Sequence, residues 1–168
     1  MVGRQKRAGG GMSKNFDFSG LVQIKHLNIR KQRNEDDRIL AVDVKVFSKK
    51  VPGILLDSIL VPNENDPIKD VLWDADGSPR LYGVNRIDSW IEFEKCVGNI
   101  LGNHFSIEKI SKFTGALTAD FGMDLTFSFS VVEPTNALLE TLVAMMAEEV
   151  RLQIETPQLD LLLSGGAA

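Results

Sequence analysis

The sequence predicts an α+β protein dominated by antiparallel sheet. The expected form is a sandwich or partial barrel of roughly six to eight strands, with one substantial C-terminal helix and one or two short helices. Three observations predict it. Met123, Leu125, Phe127, Phe129 and Val131 fall on one face of a segment whose other face is Asp124, Thr126, Ser128 and Ser130. That period of two is the mark of a strand with one dry side and one wet side. The same alternation returns at Ile39–Phe47 and at Glu149–Glu155, and only 135–147 carries a long helical period.

The elements follow in chain order. Residues 1–12 form a basic, glycine-rich leader without apolar periodicity and are expected to be disordered. A single domain is expected over 13–157, followed by an apolar and then flexible tail over 158–168. In 21–29, Val22 and Ile24 share one parity and Leu27 and Ile29 the other, so a bulge or an edge strand is predicted, with His26 at the slip. Arg30 to Arg38 holds nine polar and charged residues and reads as the exposed tip of a hairpin. Ile39–Phe47 is its returning strand, with Leu40, Val42, Val44 and Val46 inward, and Lys49-Lys50-Val51-Pro52-Gly53 ends it.

Between Pro52 and Pro62, Ile54, Leu55, Ile59 and Leu60 have helical spacing. Asp66-Pro67 starts a second short helix through Leu72, with a capping carboxylate ahead of proline. Asp74-Ala75-Asp76-Gly77 resembles the opening of a calcium loop, but its glycine comes too early and Asn85 stands at the twelfth position, so a plain Asp-Gly turn is expected. Leu81–Val84 is expected to form a short strand. In Ser89–Val97, Ile91, Phe93 and Val97 should face inward and Trp90, Glu92, Glu94 and Cys96 outward. Phe105–Leu117 should be a strand with a bulge, because its parity shifts after Ile107 and Gly115 interrupts it. After Pro134, Leu138, Leu139, Leu142, Val143, Met145 and Met146 form the helix stripe, with Thr135 or Asn136 as cap.

Composition excludes several classes. Hydrophobic residues at 43% and charged residues at 25% fit an ordinary globular chain, and no apolar run approaches the roughly 20 residues a membrane helix needs. The expected setting is cytoplasmic, with no membrane partner. The single cysteine, Cys96, rules out an internal disulfide and a multi-cysteine zinc site. His26 and His104 lack the spacing of a metal pair, and no phosphate-binding or dinucleotide fingerprint is present. No cofactor and no metal are expected. Cys96 lies in a strand without a cationic pocket to lower its pKa, and Glu92 and Glu94 share one strand face rather than flanking a cleft. A non-enzyme is therefore expected.

Two binding classes stay open. The net charge is −4; without Arg4, Lys6 and Arg7 the basic residues fall from 19 to 16 against 23 acids, leaving a body at −7. Such a body suggests contact with protein, or self-association, through strand edges and through Leu159, Leu161, Leu162 and Leu163 of the tail. The alternative is single-stranded nucleic acid held by an OB-like barrel. Its site would use the basic hairpin 21–50, through Lys25, Arg30, Lys31, Arg33, Lys45, Phe47, Lys49 and Lys50, joined by Tyr82, Arg86 and Trp90.

The order of hairpin, small helical insert, sheet, helix and closing strand over 13–161 resembles the short β-rich proteins that phages and prophages encode. The resemblance carries no diagnostic motif. It implies either a virion or assembly component, or an accessory protein of phage DNA metabolism or host interaction, working in the cytoplasm of a bacterial host.

Overall fold

A strand with one apolar face has to bury that face and also satisfy two rows of backbone groups. The chain meets both needs by joining its sheet to itself. The computed structural model describes residues 16–34, 37–59, 71–80 and 86–156, with 32–34 and 37–38 described by backbone alone. Among the described residues there are seven strands: β1 (Phe18–Asn34), β2 (Asp37–Pro52), β3 (Arg86–Ser89), β4 (Phe93–Ile100), β5 (Asn103–Thr118), β6 (Gly122–Val132) and β7 (Glu149–Glu155). All pairings between them are antiparallel. β1 pairs with β2, β2 with β6, β6 with β5, β5 with β4, β4 with β7, and β7 with β1. The circuit is closed, so six strands make a barrel, one more than the five of an OB-type barrel. β3 continues the edge begun by β4, pairing with the far half of β5 at Phe113–Ala116.

Most inward residues are those that the alternation selects, but Leu40, expected inward on β2, is 44% exposed because it lies beyond the last β2–β6 pair at Ala41↔Val132. Met123, Leu125, Phe127, Phe129 and Val131 of β6 are all buried, as are Val42, Val44 and Val46 of β2 and Val150, Leu152 and Ile154 of β7. Phe16, just ahead of β1, is wholly buried. Its ring lies 5.1 to 6.1 Å, centroid to centroid, from those of Phe18, Phe93, Phe113 and Phe127. Its backbone N–H donates to Thr156 Oγ1 at 3.0 Å, and the Thr156 N–H donates to Asp17 Oδ1 at 3.1 Å, tying the two ends of the barrel chain together.

The insert after β2 covers one end of the barrel. A 3-10 turn, Gly53–Leu55, leads into α1 (Leu56–Ile59), and Leu56, Ile59 and Trp73 are buried. Trp73 donates its indole N–H to the Thr118 carbonyl at 2.9 Å. Gly53 is needed here because a Cβ would stand 2.5 Å from the Trp73 ring and 2.7 Å from the Phe121 carbonyl oxygen. Among the described residues no helix is long and apolar enough to cross a membrane.

Several expectations need correction. The C-terminal helix, α2 (Asn136–Ala144), has nine residues and is not the substantial element predicted over 135–147. Thr135 caps it as expected, its hydroxyl accepting from the Leu138 N–H at 3.1 Å. It stops early because Met146 bridges to Ile24 of β1 and Ala147 turns left-handed at φ 67°, feeding the chain into β7. Only Leu138 and Leu142 of the stripe are fully buried, and Val143 is 59% exposed.

The charged stretch 30–38 is not a wide turn. β1 and β2 stay paired to Asn34↔Asp37, making an arm beyond the last β2–β6 pair at Ala41↔Val132. In β4 the inward residue is Cys96, 1% exposed, while Val97 faces out at 42%. The reversal follows from Lys95, whose φ of 58° removes one step of the alternation. The short strand predicted at 81–84, most of the predicted helix 66–72, the leader 1–12 and the tail 158–168 lie outside the described residues.

Candidate functional site

The outward face of the barrel is where chemistry can be displayed, and register dictates its layout. Three rows of side chains cross the strands there. The middle row is His26–Lys45–Ser128–Ser111, from β1 to β5. On one side runs Asn28–Asp43–Ser130–Lys109; on the other, Gln23–Phe47–Thr126–Thr114, continued by Asp88 of β3. Most of these residues line an open groove of about 1010 Å³; Gln23, Phe47 and Asp88 fall outside its lining. The floor along β6 and β5 is hydroxyl-rich, because the wet face of the central strand is Thr and Ser rather than long side chains.

The rim is cationic. Lys25, Arg30, Lys45, Arg86, Lys109 and Lys112 line the groove, against the carboxylates of Asp43 and Glu108. The groove thus carries +4 in a chain whose net charge is −4, so the remainder stands at −8. Segregation on this scale concentrates a positive field over one face.

Two of these lysines reach the groove through bulges. The β1–β2 register shifts between Ile24 and His26, which expels Lys25 as the extra residue. The predicted slip is therefore present, and its ammonium sits 5.3 Å from the centroid of the Phe47 ring. The β5–β6 register shifts between Ser111 and Thr114, and Lys112 is held there at φ 61°. That left-handed conformation costs a side-chain-bearing residue about 1–2 kcal/mol. Among the described residues Lys45 and Lys112 make no ion pair, whereas Lys109 lies 3.5 Å from Glu92 and Arg86 3.3 Å from Asp88.

Asp43 organises the acidic side of the groove. Arg30 grips it with two bonds, Nε to Oδ2 at 2.8 Å and Nη2 to Oδ1 at 3.2 Å. Ser130 Oγ donates to Oδ1 at 2.8 Å and Asn28 Nδ2 to Oδ2 at 3.4 Å. Partial burial pushes the Asp43 carboxyl up, but the hydrogen bonds from Arg30, Ser130 and Asn28 and the charge of Arg30 outweigh it and hold the carboxyl below its ordinary value. A depressed folded-state pKa stabilises the fold at neutral pH, and that contribution is lost as pH falls through the folded value.

Asp43→Asn is expected to cost about 1 kcal/mol, since the pair is partly open to solvent. Thermal melting at pH 7 checks this, and the deficit should vanish in acid. The same change raises the groove charge by one, so affinity for a polyanion should rise rather than fall.

The chain matches no family model, no curated protein and no solved structure. Among the described residues no group of three or more His, Cys, Asp or Glu is placed to hold a metal. The Asp74–Ser78 segment is a turn satisfied by its own bonds, Gly77 N–H to the Asp74 carbonyl at 2.9 Å and Ser78 N–H to Asp76 Oδ1 at 3.0 Å. Cys96 points into the core, where burial pushes its thiol up, away from the nucleophilic thiolate.

Of the residues singled out for nucleic acid, the structure gathers Lys25, Arg30, Lys45 and Arg86 in the groove, with Phe47 in the adjoining row. Lys31 lies on the exposed arm, and Lys49 and Lys50 form a third bulge farther along β2. The side chain of Arg33, and Tyr82, Leu159, Leu161, Leu162 and Leu163 altogether, lie outside the described residues. Sequence reasoning missed Lys109, Lys112 and the hydroxyl floor as site residues. The wet parity of β6 and the bulge expected in β5 were their signals, but the β5–β6 and β2–β6 pairings were not in view.

Proposed function

We propose that this protein is a non-catalytic nucleic-acid-binding module that takes a single strand on the outer face of its barrel. The observation that carries the reading is the groove at +4 on a chain at −4. Lysines and an arginine neutralise phosphates, and Thr and Ser hydroxyls donate to phosphate oxygens without adding bulk. Phe47, held beneath Lys25, and the exposed Trp90 supply flat rings of the kind single-strand binders use for stacking.

The test is fluorescence anisotropy of a labelled single-stranded DNA oligomer titrated with the full chain at two salt concentrations. Saturable binding that weakens with salt, with a negative slope of log affinity against log salt, is expected. Absence of binding at low salt would end this reading.

A second reading is favoured by the arm. Leu40, 44% exposed, lies on the arm where β1 and β2 pair only with each other among the described residues, and Ile29, 53% exposed, lies on β1 where its other edge has no partner strand among them. Free strand edges with apolar side chains suit protein contact or self-association. It predicts association that survives high salt, read by sedimentation.

A further inference from the structure

Resting on the nucleic-acid reading, we infer that one phosphodiester strand crosses the β-strands along the middle row, between the bulge residues Lys25 and Lys112, and lays a base on Trp90. Three features carry this path.

The first is the pair of bulges. Lys25 and Lys112 both emerge between the middle row and the row of Phe47 and Thr126, one on β1 and one on β5. Three inter-strand steps separate them, about 14 Å at the usual strand spacing. Lys45 and Ser128 lie between. The left-handed φ of 61° at Lys112 favours glycine, yet a lysine stands there. Lys50 and Lys95 share that conformation, and Lys112 is the one of the three that lines the groove.

The second is the width of the cationic band. Asp43 and Glu94 stand in the row on one side and Asp88 in the row on the other. Those two rows are four residues apart along a strand, about 14 Å. One line of phosphates fits between these carboxylates. A duplex would carry its second line over Asp43 or Asp88, where the cations are already engaged by carboxylates, Arg30 by Asp43, Lys109 by Glu92 and Arg86 by Asp88.

The third is Trp90. Parity in β3 turns Ile87 and Ser89 inward and Arg86 and Asp88 outward, and Thr114 Oγ1 donates to Asp88 Oδ1 at 2.9 Å across the outer face. Trp90 continues the outward parity and is 95% exposed. Ser89 pairs with Phe113 and Phe93 with Ile110, so the Trp90 loop runs beside Ser111 and Lys112. The contact of Glu92 with Lys109 holds the same loop against the groove. An exposed indole in this place offers its face to a base, an interaction that tolerates any sequence.

Intrinsic fluorescence tests the path. The chain has two tryptophans, and Trp73 is buried with its indole N–H bonded, so a response to ligand reports Trp90. Oligothymidine is expected to quench the emission saturably. Trp90→Ala should weaken binding about tenfold with the salt slope unchanged, and Trp90→Phe should recover part of the loss. Lys112→Gly removes the amine while relaxing the backbone, so it should keep or raise the melting temperature. It should also lower the salt slope by about 0.7, as should Lys25→Gln. A duplex of equal length should bind more weakly. If anisotropy shows salt-sensitive binding while Trp90 emission, Trp90→Ala and Lys112→Gly all behave as wild type, the path is wrong and the groove reading stands. Equal affinity for duplex also overturns the path. If oligothymidine does not bind at low salt, both fall together.

Discussion

Phe16→Ala is expected to lower the free energy of unfolding by about 3–5 kcal/mol. The ring is wholly buried and touches four other phenylalanines, from β1, β4, β5 and β6. Its removal takes away apolar burial and leaves a void, because Phe113 and Phe127 are held by strand backbone and cannot move inward far. For a chain of this size each kcal/mol shifts the melting temperature by roughly 2–4 °C, so a drop of roughly 6–20 °C is expected by calorimetry. Phe16→Leu, which fills much of the same space, should lose far less. A Phe16→Ala protein that melted within a degree or two of wild type would mean that this ring does not seal the barrel.

The second large effect concerns binding. Lys45→Glu combined with Lys112→Glu changes the groove from +4 to neutral. Both ammonium groups lack an ion-pair partner among the described residues, so the fold loses no salt bridge. Two charge-assisted contacts to phosphate are worth about 3 kcal/mol or more, so affinity for a single strand should fall by about 100-fold at low salt. The melting temperature should change little, since surface substitutions of this kind usually stay within about 0.5 kcal/mol. The result to compare is Asp43→Asn, which should move affinity the other way. If the double variant binds as tightly as wild type, the cationic groove is not the nucleic-acid surface.

These two residues illustrate what was legible. Phe16 precedes the first alternating segment, and nothing local marks it as core. Its burial is decided by β7 returning beside β1, where Thr156 and Phe16 bond across 140 positions of sequence. Lys45 was legible as an outward residue of a strand, and Lys25 as a neighbour of the slip at His26. That they meet Lys109 and Lys112 was not legible, because the groove spans a pairing between β2 and β6 and another between β6 and β5.

The sequence by itself determined the antiparallel sheet, the inward sets of β6 and β7, most of that of β2 (Leu40 excepted), the slip near His26 and the presence of a bulge in β5, though not its place in the β5–β6 register. These depend on the period of side-chain polarity along a short stretch, which is a local property. Tertiary structure alone decided the closure of six strands into a barrel, the short α2, the inward turn of Cys96 and the gathering of six cations around a hydroxyl floor. The reversal at Cys96 came from one left-handed lysine, and the groove came from register between strands far apart in the chain. Alternation says which side of a strand is wet, and pairing says which wet sides adjoin.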